Sequence, residues 1–191
     1  MHLRSVLVAA TVALVHPGCR DDEPPTASLP VPTHLATVQV AGWTLDVPDG
    51  WVTEEPRSRS AFFPRLLQIR LPGDGGTGDA ELIAVKSTGT TEANLDRWKK
   101  QFDATDEERA RWREETFEAG GASCTLLEVH GTHTVPMFSR EEGHPDVLPG
   151  HAMLGAIWSI DPAIAFRALG PAATIERHEG AFRAFLASAR R

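Results

Sequence analysis

The sequence contains no tyrosine and only two cysteines, Cys19 and Cys124. Two cysteines cannot build a disulfide framework, and modification of one leaves the other without a partner. A basic stripe is missing as well. Nineteen Lys and Arg stand against 26 Asp and Glu, for a formal charge of −7 and a pI near 5.6, whereas affinity for nucleic acid rests on clustered Lys and Arg. The composition therefore excludes a nucleic-acid partner. Long apolar runs are also lacking. The uncharged stretch from Val6 to Val15, at about 1.5 Å rise per residue, covers only about half of a roughly 30 Å hydrocarbon core, and no later segment is better suited to span one. Familiar catalytic signatures are absent too: there is no G-x-S-x-G elbow and no H-E-x-x-H pair. With 41% hydrophobic residues, the 191-residue chain can bury one sizeable core but hardly two.

What is present begins with an export pattern. His2 and Arg4 make a weakly basic start, Val6 to Val15 an apolar centre, and Gly18 a small residue before a cleavage point, so residues 1–18 read as a signal peptide. Cys19 follows at once in "VALVHPGCRDDEPP". A small residue directly before a cysteine at the end of a signal core resembles the lipobox of bacterial lipoproteins. That resemblance implies that Cys19 is acylated and becomes the lipid attachment site. Arg20 stands where an inner-membrane retention signal would carry Asp, which favours an outer-membrane or cell-surface anchor. Residues 19–35 carry Pro24, Pro25, Pro30 and Pro32 and little to bury, the composition of an extended spacer.

From residue 36 to 191 the pattern is that of one α+β domain. "LATVQVAGWTLDV" reads as a strand or bent pair with a bulge at Gly42, and "PDGW" as a turn. "LLQIRL" and "ELIAVKS" are strands flanking the glycine-rich "PGDGGTGDA". That cluster lacks the Lys-Ser/Thr ending of a phosphate-binding loop, so it is a hairpin loop. "TTEANLDRWKKQF" predicts a helix capped by Thr91, with Leu95, Trp98 and Phe102 as its apolar stripe. Four strands follow, "RWREETFEA", "ASCTLLEVHGTHTV", "HAMLGAIWSI" and "IAFRAL", with a long loop from Ser139 to Gly150 between the second and third. The last helix has Pro171 in its first turn and lines Ile175, Phe182, Phe185, Leu186 and Ala189 on one side. An antiparallel β-sheet packed with two helices, both on one face or one on each, satisfies these patterns.

"GWTLDVPDGW", the mid-chain helix, the run of four strands and the closing "FRAFLASAR" resemble the PsbP-like α-β-α sandwich. "EANLDRWKKQF", Gly131–Thr132, "MLGAI" at Met153–Ile157 and "LGP" at Leu169–Pro171 are similar to a family of uncharacterised exported bacterial proteins. The resemblance implies a binding or assembly accessory and assigns no activity.

The residues themselves offer few sites. His130, His133, His144 and His151, with Glu141, Glu142 and Asp146, cluster in sequence, and neutral imidazole ligates transition metals. His130 and His133, three apart on a strand, point to opposite faces. A metal-assisted hydrolase using His133, His144 and either His151 or Asp146 is therefore the enzyme alternative, and it needs the loop to fold back. "DATDEERARWREE" lacks the ligand spacing of an EF-hand and reads as a solvated polar face. Cys124, in an apolar strand, reads as a small buried hydrophobe, and the five tryptophans mostly as core. The expectation is an exported, lipid-anchored, non-catalytic binding or assembly module of the cell envelope. It would sit on the membrane through Cys19 beside an envelope protein partner, without cofactor or metal.

Overall fold

The computed structural model describes residues 36–57, 64–137, 140 and 142–191. The first described strands, β1 (Thr37–Val40) and β2 (Trp43–Asp46), form a hairpin of their own, paired from Thr37↔Asp46 to Val40↔Trp43. Its two turn residues, Ala41 and Gly42, have φ of 51° and 81°. Both are left-handed, as a two-residue hairpin turn requires to match the strand twist. Gly42 is thus a turn residue and not the bulge the sequence suggested. Alternation sends Val38, Val40, Trp43 and Leu45 inward.

The remaining strands are β3 (Val52–Glu54), β4 (Arg65–Leu71), β5 (Ala80–Lys86), β6 (Phe102–Asp103), β7 (Arg113–Ala119), β8 (Ala122–Thr134), β9 (Val147–Trp158) and β10 (Ile164–Pro171). They form one antiparallel sheet in the order β3-β4-β5-β10-β9-β8-β6, with β7 also paired to β8. The run β7 to β10 is a meander of hairpins. It returns to seat β10 beside β5, which the chain left before its first helix. Strand β9 starts at Val147, within the stretch from Ser139 to Gly150 expected to be loop, and the pairing shifts near Gly150, where β8 passes from Gly131 to His133.

Three helices complete the fold: α1 (Thr91–Lys99), α2 (Asp106–Ala110) and α3 (Ala172–Ala187). Thr90, not Thr91, caps α1 by accepting from the Ala93 N–H, and Phe102 lies beyond the helix, at the start of β6. The acidic stretch forms α2 through a capping box between Thr105 and Glu108 and buries nothing, as a solvated face should. Pro171 is the residue before α3 and not part of its first turn. Ala189 lies past the helix end and is still buried. There the chain pairs back on the hairpin, Thr44 N–H to Arg190 O at 2.8 Å, with Arg190 also on Asp46 at 2.6 Å.

Of the two arrangements open from sequence, the helices take one face each. Helix α3 and the β1–β2 hairpin cover one side, where Leu45, Leu126, Leu154, Trp158, Phe166, Phe182 and Phe185 form the larger core. Helix α1 covers β8 and β9 on the other, where Leu95, Trp98, Phe102, Leu127, Val129, Met153 and Ile157 form the smaller one. Burying each large side chain contributes about 1.5–3 kcal/mol. Close approach of α1 depends on Gly155. A Cβ there would lie 2.6 Å from both Cε3 and Cζ3 of Trp98, so the indole rests on bare backbone.

Candidate functional site

The two faces of the sheet are not covered alike. On the α3 side of β4, β5 and β10, Ile69, Leu71, Leu82, Ala84, Phe166 and Ala168 are fully buried. On the opposite side of the same strands, Glu81, Ile83, Val85, Arg167 and Leu169 are only half-buried, because α1 packs over β8 and β9. The result is a strip of sheet surface walled on one side by α1. Next to it lies a depression of about 270 Å³ whose lining includes Glu54, Arg70, Asp79, Glu81, His151 and Leu169.

Register brings charged residues to this strip. Gln68 pairs with both Glu54 and Ile83, Arg70 with Glu81, and Arg167 with Ile83 and Gly155. Arg65 donates to Glu81 at 2.8 Å and to Gln68 at 2.7 Å, Gln68 donates to Glu54 at 3.0 Å, and Arg70 bridges Glu54 at 3.2 Å and Asp79 at 3.0 Å. Asp79 also accepts the Gly73 N–H at 2.7 Å. That bond, followed by Arg70, holds its carboxyl below the usual carboxylate range. These two guanidinium groups and three carboxylates engage one another.

Arg167 is different. Its Nε is buried without a hydrogen-bond partner. Burial opposes its charge first, Arg65 and Arg97 add repulsion, and Glu81 supplies attraction. Arg97 projects from α1 and donates to the Asn94 side-chain oxygen, while the buried Asn94 is itself fixed by bonds to the carbonyls of Thr90 and Thr88 at 2.8 and 2.9 Å.

His133 shares this face. It is 3% exposed, its ring lies 5.0 Å from that of Phe102, and its Nδ1 is buried and unpartnered. Burial, then the charges of Arg167 and His151, push its pKa down to about 4, so the imidazole is neutral at pH 7. His151 is half-buried nearby, its Nδ1 3.0 Å from the Pro149 carbonyl.

His130 points the other way, as spacing requires, into a clasp between β7, β8 and α3. Its Nε2 lies 2.9 Å from Glu128 and its Nδ1 3.7 Å from Glu176. Glu128 also takes Arg113 Nε and Nη2 at 2.8 and 2.5 Å, and Arg113 continues to Glu179 at 3.0 Å. Burial works against ionisation of Glu128, yet His130 and Arg113 hold its carboxyl below the usual range. This is an anchored ion-pair network joining the last helix to the sheet.

The three-ligand metal site does not form. Among the described residues no three His, Cys, Asp or Glu side chains come together to hold an ion. His144 is exposed in the β8–β9 loop, and Asp146 pairs with Arg140 at 2.8 Å. The bulged return of β9 brings His133 and His151 to one face without drawing the loop over them. Cys19 and Glu141 lie outside the described residues. Cys124 is fully buried, and burial pushes its thiol up to about 12. Trp43, Trp51, Trp98 and Trp158 are buried and Trp112 half-buried, its indole N–H on the His130 carbonyl at 2.9 Å, so they offer no exposed aromatic platform. Arg167 escaped sequence reasoning, although a charged residue inside the apolar "IAFRAL" was a visible irregularity.

No family model matches the chain, and no curated protein matches it. Among solved structures it is similar to cyanobacterial PsbP (CyanoP) from Synechocystis sp. PCC 6803, at 13% identity over 82% of this chain and 91% of that one, with a TM-score of 0.48. It is also similar to a Pseudomonas aeruginosa protein of unknown function, at 16% identity over 81% of this chain and 95% of that one, with a TM-score of 0.41. A PsbP structure is among these neighbours. The likeness concerns the fold, and neither protein lends this one an activity or a partner.

Proposed function

We propose that this protein is an exported, lipid-anchored, non-catalytic binding module of the cell envelope, and that it binds through the half-covered strip beside α1. One observation carries the binding face: on a domain whose α3 side is sealed by apolar packing, the strip over β5 and β10 stays half-open and holds an arginine whose Nε is covered and unpartnered. Buried polar groups are ordinarily satisfied within a fold, so an exception beside a depression points outward to something that binds. The export pattern and Cys19 support the location, with Pro24, Pro25, Pro30 and Pro32 as spacer. No helix among the described residues is long and apolar enough to cross a membrane, so the anchor in this reading is the lipid.

The test is to express the full chain in a bacterial host with a photo-crosslinking residue at Leu169, and at Arg177 on α3 as a control. The membrane fraction is then analysed by mass spectrometry. The expected result is a diacyl or triacyl mass on Cys19 and one recurrent envelope protein crosslinked from position 169 but not 177. An unmodified N-terminal peptide beyond Cys19 in the soluble fraction would remove the anchor. Crosslinking at 177 alone would move the binding face.

A further inference from the structure

We propose that Arg167 anchors an oxyanion site on the open strip, one that takes the carboxylate or phosphate group of a bound molecule. This rests on the reading of that strip as the binding face. A guanidinium does not shed its proton in a protein, so covering one without a counter-charge is costly. Around Arg167, among the described residues, the chain gathers Arg65 and Arg97 and, against these three guanidinium groups, the carboxylate of Glu81. Glu81 is already bound by Arg65 at 2.8 Å. Further along, Glu54 and Asp79 are both engaged by Arg70.

The geometry suits an oxyanion. With Nε unoccupied, the side edge of the guanidinium can offer two parallel N–H donors, the arrangement that fits carboxylate and phosphate oxygens. His133, on the same face and with its Nδ1 unpartnered, places a neutral imidazole there in place of a competing cation. Trp98, pressed on Gly155, forms the wall beside Arg167, since Gly155 is its cross-strand neighbour. Asn94 holds Arg97 on the near side of α1.

The experiment titrates the purified full chain with sodium phosphate and, separately, sodium acetate at constant ionic strength, following the Arg167 Nε–H and the His133 ring by NMR. Thermal unfolding is measured in parallel. Saturable shifts of both side chains with at least one probe, weakened at least tenfold in Arg167→Met, are expected. Arg167→Met should also unfold no lower than the parent in anion-free buffer, because it removes a charge whose Nε is covered without a hydrogen-bond partner. Saturation by phosphate alone assigns a phosphate-bearing ligand and by acetate alone a carboxylate. No saturable shift with either probe would overturn the proposal. So would equal binding by Arg167→Met, or a large loss of stability in that variant, which would make the guanidinium a structural element. If neither probe binds while Leu169 still crosslinks to an envelope protein, the oxyanion site falls and the binding module stands.

Discussion

Replacing Gly155 by alanine measures how tightly α1 is pressed onto the sheet. The added Cβ would sit 2.6 Å from Cε3 and Cζ3 of Trp98 and 3.4 Å from Cδ2. Carbon atoms reach their best contact at about 3.5–4.0 Å, so the indole must retreat by roughly 1 Å. Trp98 is only 3% exposed and is held by Leu95, Phe102 and Met153 in the same core, so the retreat carries α1 with it. Overpacking of this kind costs about 1–3 kcal/mol. For a protein of this size that lowers the melting temperature by roughly 2–4 °C per kcal/mol. Urea unfolding of the parent, Gly155→Ala, Trp98→Leu and the double variant forms a cycle that isolates the contact. Trp98→Leu alone should cost about 2–4 kcal/mol through lost burial. In that background the alanine should cost less than about 0.5 kcal/mol, because the ring it meets is gone. An alanine that is harmless in the parent, or equally costly in both backgrounds, would refute the packing of Trp98 on Gly155.

Three further outcomes follow from the same structure. Ala41 holds a φ of 51° without being glycine, so Ala41→Gly should stabilise the domain by about 0.5–1 kcal/mol in chemical denaturation, and a loss of stability would contradict the hairpin turn. Cys124, fully buried with its thiol pushed up to about 12, should resist iodoacetamide in the native protein and react only on unfolding; native-state labelling at neutral pH would contradict its burial. His133, held near 4 against an ordinary 6.5, stays neutral in the fold while the unfolded chain takes up its proton. Stability should therefore fall as pH drops from about 6.5 to about 4, by about 3 kcal/mol at most. Urea melts at pH 7 and pH 4.5 should show a flatter dependence in His133→Gln, and an unchanged slope would sink the assignment.

Much of the fold was legible from local pattern. Period-two alternation marked β4, β5, β8 and β10, the Pro/Gly/Asp clusters marked their turns, and the stripe of Ile175, Phe182, Phe185 and Leu186 marked the last helix. Errors fell at element ends. Thr90 displaced Thr91 as the cap, Phe102 left the helix for β6, and β9 began several residues before His151, because adjacent threonines cap alike, an apolar residue past a helix end still fits its stripe, and Pro149 and Gly150 read as loop residues. The candidate site was less legible. His133 and His151 were noticed as metal ligands, but burial and the neighbouring cation make His133 a neutral wall residue. Arg167 was read simply as part of a strand.

By itself, then, the sequence determined the α+β class, the order of the long strands and of helices α1 and α3, most of the residues these turn inward, and the opposite aim of His130 and His133, since all of these follow from interactions within a few residues along the chain. Tertiary structure decided the rest. Long-range pairing placed β10 between β5 and β9, and Gly155 gave Trp98 a seat that draws α1 over β8 and β9 and leaves the next strip half-covered. That strip is where the Nε of Arg167 loses water without gaining a partner, and no local window of sequence contains the three strands and one helix that make it so.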